Sequence, residues 1–114
     1  MQIENFINGE FIAPLNGGYL ENHNPATGNV TSRIPNSTAN DIAKAVQAAQ
    51  DALPAWSALP RSERIEWLRK IAQALELRRD KIASIESMDT GKPINLAKRV
   101  DAARSISNFK FFAN

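Results

Sequence analysis

Apolar and polar positions along this 114-residue chain follow two different periods. Through residue 38 the apolar residues come in short pairs or alternate with polar ones, the rhythm of strands. From residue 39 onward they recur every three or four positions, the rhythm of helices. In the first stretch, Asn8-Gly9 separates Phe6-Ile7 from Phe11-Ile12. Asn-Gly between apolar pairs predicts a tight hairpin, because both central residues tolerate positive φ. Leu15-Asn16-Gly17-Gly18 reads as a loop, and Tyr19-Leu20-Glu21-Asn22 as an extended segment. Asn24-Pro25-Ala26-Thr27-Gly28 predicts a turn, with proline presetting φ and glycine free to go positive. Val30-Thr31-Ser32-Arg33-Ile34 alternates like a half-buried strand, and Pro35 ends it.

The first helix is expected to start at Thr38, with Asp41 completing a short-armed capping box. Ile42, Ala45, Val46, Ala49 and Leu53 form its apolar stripe, and Pro54 is expected to disrupt it. A second helix begins near Pro60, a favoured first-turn residue. Its stripe is Ile65, Leu68, Ile71, Ala72 and Leu75, with Arg61, Arg64, Arg69 and Lys70 mostly around the rest. Arg78-Arg79-Asp80-Lys81 marks a polar break, after which Ile82 and Ile85 resume the stripe. Gly91 reads as a C-terminal stop, with Pro93 just beyond. A last helix from about Ile94 to Phe112 should bury Leu96, Val100, Ala103 and Ile106. Trp56 and Trp67 are expected in core or inter-helix packing, since indoles bury large area. Phe109, Phe111 and Phe112 cannot all face one small core from one helix. Some of them should meet a surface outside this chain. The fold class is therefore α/β, with N-terminal strands and a hairpin over 1–38 and three or four helices over 39–114.

Composition narrows the function classes. An apolar content of 43% with 23% charged residues is ordinary for a globular domain. A net charge of +2 is too mild to imply nucleic acid or an anionic membrane surface. The absence of cysteine excludes disulfides, thiolate metal sites and thiol catalysis by these residues. No basic region followed by an apolar run opens the chain, and no apolar stretch is long enough to span a bilayer. Cytoplasmic localisation is the expectation, with no membrane partner.

Candidate chemistry is sparse. His23 is the one histidine, and a lone histidine is ordinarily structural. The five glycines lack the spacing of a dinucleotide phosphate loop. The basic residues of the second helix alternate with Glu63, Glu66 and Glu76, which reads as a solvated face rather than a nucleic-acid reader. Arg104 stands out. On a helix it aligns with Asn108 and Phe111, and a guanidinium beside an amide and a ring is a reasonable anion clamp. The plainer alternative is a surface arginine, or one paired with Asp101.

Several pieces fall into one order: Glu4-Asn5-Phe6-Ile7-Asn8-Gly9-Glu10-Phe11, Asn24-Pro25-Ala26-Thr27-Gly28, Trp56-Ser57, Asp89-Thr90-Gly91-Lys92-Pro93 and Asn108-Phe109-Lys110-Phe111-Phe112-Ala113. This collinear set resembles the amino-terminal segment of NAD(P)-dependent aldehyde dehydrogenases. The ending, with Asp101-Ala102-Ala103-Arg104-Ser105 before it, is most similar to the branch acting on aminomuconic and hydroxymuconic semialdehydes, although that branch typically has Ile-Pro where Ala102-Ala103 stand here. The resemblance implies an incomplete part of the coenzyme-binding domain. It implies a parent that oxidises an aldehyde, with a carboxylated semialdehyde as a candidate, to the acid with NAD or NADP. The family's cysteine nucleophile and glutamate base would lie outside this chain, so the chain alone is expected to bind no cofactor and to be inactive. The resemblance assigns Arg104 to the substrate carboxylate. It places Asp101, with the backbone near Asn22 and His23, at a monovalent-cation site, against the alternative of an ordinary helix carboxylate. Its implied partners are the remainder of a subunit, or further copies in a homo-oligomer. The competing reading is a stand-alone interaction module that binds dehydrogenase subunits.

Overall fold

The hairpin forms as its turn chemistry demands. Strand β1 (Asn5–Ile7) pairs antiparallel with β2 (Glu10–Ile12), with Phe6 opposite Phe11. Asn8 and Gly9 both take positive φ, 54° and 84°. The two phenylalanine rings meet at 5.0 Å between centroids, a cross-strand aromatic pair that favours this register. The computed structural model describes residues Met1–Asn114. They divide into two compact units: Met1–His23 with Gly28–Ala58, and Asn24–Thr27 with Leu59–Asn114. The change from strands to helices falls between Pro35 and Ala39.

In the first unit, β3 (Tyr19–His23) pairs antiparallel with β4 (Val30–Pro35), with a register irregularity at Asn22/His23. Met1 and Ile3 bond through their backbones to Arg33, which adds the chain's start to the free edge of β4. Ser32 is buried, but Val30 and Ile34 on the same face remain 48% and 36% exposed. The expected half-buried strand is thus covered only at its centre.

Helix α1 (Ala39–Ala58) begins where the cap was expected. Asp41 reaches back to the Thr38 amide at 2.8 Å and also accepts the Thr38 hydroxyl and the Leu15 amide, each at 2.9 Å. These bonds, led by the Thr38 amide and then the Leu15 amide, hold its carboxyl below the usual aspartate range, and burial opposes them. Pro54 does not disrupt the helix. The helix runs on to Ala58, although proline removes its own N–H bond and its ring crowds the carbonyl four residues before it. The Pro54 carbonyl still accepts a bond from Ser57 Oγ at 3.0 Å. The stripe of α1 meets only the β1–β2 hairpin, whose Phe6 and Ile7 line open clefts with Ile42, Ala45 and Ala49, and Ile42, Val46 and Leu53 stay 50–60% exposed. Trp56 shares that fate, and Trp67 of the next helix is equally open, so neither indole joins a core here. Lys70 covers part of Trp67 instead, with its ammonium 4.6 Å from the ring centroid.

The second unit is helical. Helix α2 (Arg61–Leu77) follows Pro60, and α3 (Arg79–Thr90) follows the break at Arg78. Gly91 ends α3 in the left-handed conformation, φ 72°, with its amide on the Ser87 carbonyl. This is the αL cap that glycine adopts without a Cβ penalty. Ahead of it in sequence, Asn24–Thr27 closes an Asx turn, with the Ala26 amide on Asn24 Oδ1 at 2.9 Å.

The last helix is not uniform. A short turn α4 (Ile94–Leu96) leads into a π-helical segment, Ala97–Ala102, and then into α5 (Ala103–Phe112). The extra residue of the π turn changes which side chains face inward. Ala97, Ala102, Ile106 and Ala113 are buried, while Leu96 and Val100 stay 38% and 40% exposed and Ala103 is half-buried. Ala97 and Ala102 pack with Ala83 and Ile82. The expected face of Leu96, Val100 and Ala103 assumed 3.6 residues per turn throughout, and the π turn moved it.

Candidate functional site

The polar groups of the second unit gather where α3 ends and the π segment begins. Lys92 follows the Gly91 cap, and its carbonyl accepts a bond from Ser87 Oγ at 2.6 Å. That bond fixes the residue's backbone. Its ammonium lies 2.7 Å from Asp101 Oδ2 and 3.3 Å from Glu86 Oε1. The three side chains are about one-third exposed. The bond to Asp101 raises the lysine above its ordinary range; partial burial works against it, and Glu86 adds to the rise. Asp101 is held from its backbone as well, since Ser105 Oγ donates to its carbonyl at 2.9 Å.

One turn later comes Arg104, on α5. Its side chain is exposed and has no ion pair. The alternative pairing with Asp101 is not formed; that carboxylate pairs with Lys92 instead. Asn108 and Phe111, on the same helix, are also exposed, with Phe111 at 72%. Phe111 and Phe112 stack edge to face at 5.2 Å and stand open to solvent, while Phe109 is half-buried. A free guanidinium flanked by an amide and an aromatic edge can accept a carboxylate through paired N–H donors. On its other side α5 faces a small cleft of about 110 Å³ lined by Glu76, Arg79, Ala103, Ile106, Ser107 and Lys110. There Glu76 pairs with both cations, Arg79 at 3.5 Å and Lys110 at 3.2 Å, so neither is left without a carboxylate.

The remaining expected residues lie in the first unit. His23 is exposed on β3, with Nε2 3.8 Å from Glu21 and Nδ1 3.3 Å from the Gly28 carbonyl. Glu21 reaches it because residues two apart on a strand share a face. Asn22 Nδ2 donates to Ser32 Oγ at 3.3 Å. Asp101 belongs to the other unit, and its Oδ2 already carries an ammonium, so a cation there competes with Lys92. The positive-φ glycines 9, 17, 28 and 91 each sit in a separate turn, and none joins a strand to a helix as a phosphate cradle does. These residues do not fit a dinucleotide, and no step of cofactor chemistry is assigned to them. The Lys92 clasp was missed from sequence. Its signal was a lysine nine positions before an aspartate, across the helix start at Pro93, a spacing with no regular-helix meaning.

Comparison with known proteins gives this geometry a setting. A family profile described as "Aldehyde dehydrogenase family" matches residues 11–114. The chain is 42% identical, over 114 residues, to 2-aminomuconic semialdehyde dehydrogenase of Mus musculus, covering all of this chain and 23% of the relative. It is 40% identical to 2-hydroxymuconic semialdehyde dehydrogenase of Pseudomonas sp. (strain CF600), covering 99% of this chain and 24% of that one. Among solved structures, it superposes with TM-score 0.96 on PnpE in complex with nicotinamide adenine dinucleotide, at 36% identity over 99% of this chain and 23% of that one. The NAD+ complex of aldehyde dehydrogenase from Bacillus cereus gives TM-score 0.95 at 33% identity, again over 99% and 23%. The chain therefore spans about a quarter of the length of the relatives it matches.

Proposed function

Because this chain belongs to the aldehyde dehydrogenase family, we propose that it serves as the amino-terminal part of an NAD(P)-dependent dehydrogenase that oxidises a carboxylated semialdehyde to the corresponding acid. The single observation that carries the substrate class is Arg104, an exposed guanidinium with no internal partner, on a chain about 40% identical to two muconic semialdehyde dehydrogenases. In the proposed reaction the aldehyde, one water and oxidised NAD(P) would give the acid, reduced NAD(P) and one proton, the nicotinamide supplying the hydride acceptor when bound. The catalytic thiol comes from outside these residues, since they include no cysteine. What this segment contributes is recognition: Arg104 holds the remote carboxylate and so orients the aldehyde end. The same reading places the protein in the cytoplasm as a homo-oligomer. A monovalent cation at Asp101 belongs to it too, in competition with Lys92 for the carboxylate; potassium-dependent activity that survived Asp101→Asn would remove that part.

The test is Arg104→Ala in the complete subunit. Losing a hydrogen bond to a charged group costs about 1.5–3 kcal/mol. That predicts a fall in kcat/KM of roughly 10- to 150-fold for a carboxylated semialdehyde, with a neutral aldehyde of the same length little changed. Equal losses on both substrates would make Arg104 a packing residue and remove the substrate assignment.

A further inference from the structure

The segment before Arg104 could adopt two registers, and the sequence pattern favours the one that is not observed. Continued as a plain α-helix from the buried Ala97, the segment would carry Val100 and Arg104 on the side of Ala97. The structure instead buries Ala97 and Ala102, five apart, and leaves Val100 40% exposed. One extra residue in a turn rotates everything after it by about 100°. The face on which α5 carries Arg104 is thus set by whether residues 97–102 form a π turn. The apolar period alone fits a plain helix, and the observed register needs a local contact that selects it.

We propose that Lys92 is that element: a positioning residue that selects the π register and, through it, the direction in which Arg104 points. Its backbone is fixed by Ser87 and its ammonium by Glu86. It therefore presents a stationary cation 2.7 Å from Asp101, the fifth residue of the π segment. Ser105 binds the Asp101 carbonyl and links that anchor to the first turn of α5. Removing the lysine charge leaves two carboxylates without their cation, and the reason for Asp101 to stay at this angle disappears. The link from Lys92 to recognition rests on the reading of Arg104 given above; the link to register does not.

The absence of cysteine provides the experiment. Single cysteines are introduced as Val100→Cys and Ala102→Cys, and their reaction with a thiol reagent is followed in the 114-residue chain with Lys92, Lys92→Met or Lys92→Arg. With Lys92, the cysteine at 100 is expected to react fast and that at 102 slowly, since position 100 is 40% exposed and position 102 is buried. Lys92→Met is expected to slow position 100 and speed position 102, because thiol reactivity follows exposure. Lys92→Arg, which keeps the charge, is expected to restore both rates. Acceleration at both positions would mean that the lysine merely stabilises the helix, and unchanged rates would mean that it does nothing to the register; either result overturns the proposal. In the complete subunit, Lys92→Met should lower kcat/KM selectively for the carboxylated substrate. If labelling reverses but substrate preference stays, the register assignment stands and the role of Arg104 falls.

Discussion

Replacing Gly91 with alanine tests how the end of α3 is built. The residue sits at φ 72°, where an L side chain costs about 1–2 kcal/mol. An added Cβ would also lie 2.8 Å from Pro25 Cγ and 3.5 Å from Pro25 Cβ. Real carbon contacts do not come that close, and Cγ belongs to a ring rather than to the end of a flexible side chain. Forcing an extra methyl into such a contact costs about 1–3 kcal/mol. The two terms together give about 2–5 kcal/mol. For a domain of this size that is a large fraction of total stability. A double-mutant cycle separates the terms. Gly91→Ala, Pro25→Ala and the pair are compared by urea denaturation, followed by circular dichroism at 222 nm. Removing the proline ring should recover the steric share, so a coupling of about 1–3 kcal/mol is expected. The backbone share should persist in both backgrounds. If Gly91→Ala costs the same with and without the proline ring, the close approach plays no part, and the cap alone accounts for the glycine.

Two further outcomes follow from particular groups. The Asp41 carboxyl has its folded value depressed below 3.8 by the amides of Thr38 and Leu15. Its contribution is fully present above the unfolded value and lost as pH falls through the folded one. Urea midpoints should therefore drop below about pH 4, and Asp41→Asn should lower stability at pH 7 while flattening that acid limb; an unchanged limb would exclude this residue as its source. The open side chains of Ile42, Leu53, Leu77, Phe111 and Phe112, each 58–86% exposed, should drive concentration-dependent association of the 114-residue chain. Sedimentation velocity that shows a single monomeric species across a wide concentration range would contradict this.

The local signals were the most legible part of the sequence. Asn8-Gly9, the Thr38–Asp41 cap, Pro60, the break at Arg78 and the stop at Gly91 all act through one or two residues and their backbone. No distant partner was needed to read them. The burial pattern was less legible, because it depends on what lies opposite. Ile42, Val46 and Leu53 have the right period, but the period cannot say whether a partner surface belongs to the same chain. Pro54 was over-read, since one missing hydrogen bond near a helix end is cheaper than one at its centre. The π segment was invisible, because period counting assumes a constant turn. At the candidate site, Arg104 was visible through its helix neighbours, whereas Lys92 was hidden because it lies in the loop between Gly91 and Pro93, outside the helix that carries Asp101.

The uncovered stripe of α1 also constrains the order of events during synthesis. The β1–β2 hairpin closes over a two-residue turn, and β4 follows β3 by a short loop. Both need only nearby residues, and such local contacts form early on a ribosome. Helix α1 emerges next, and within residues 1–58 only the β1–β2 hairpin approaches its apolar side, leaving Val46 and Leu53 open. From that moment until a covering surface arrives, the nascent chain presents a preformed adhesive ridge about 30 Å long, at 1.5 Å per residue. The length of that interval, set by the pace of translation, decides how long chaperones must shield the ridge and how much of the product is lost to aggregation.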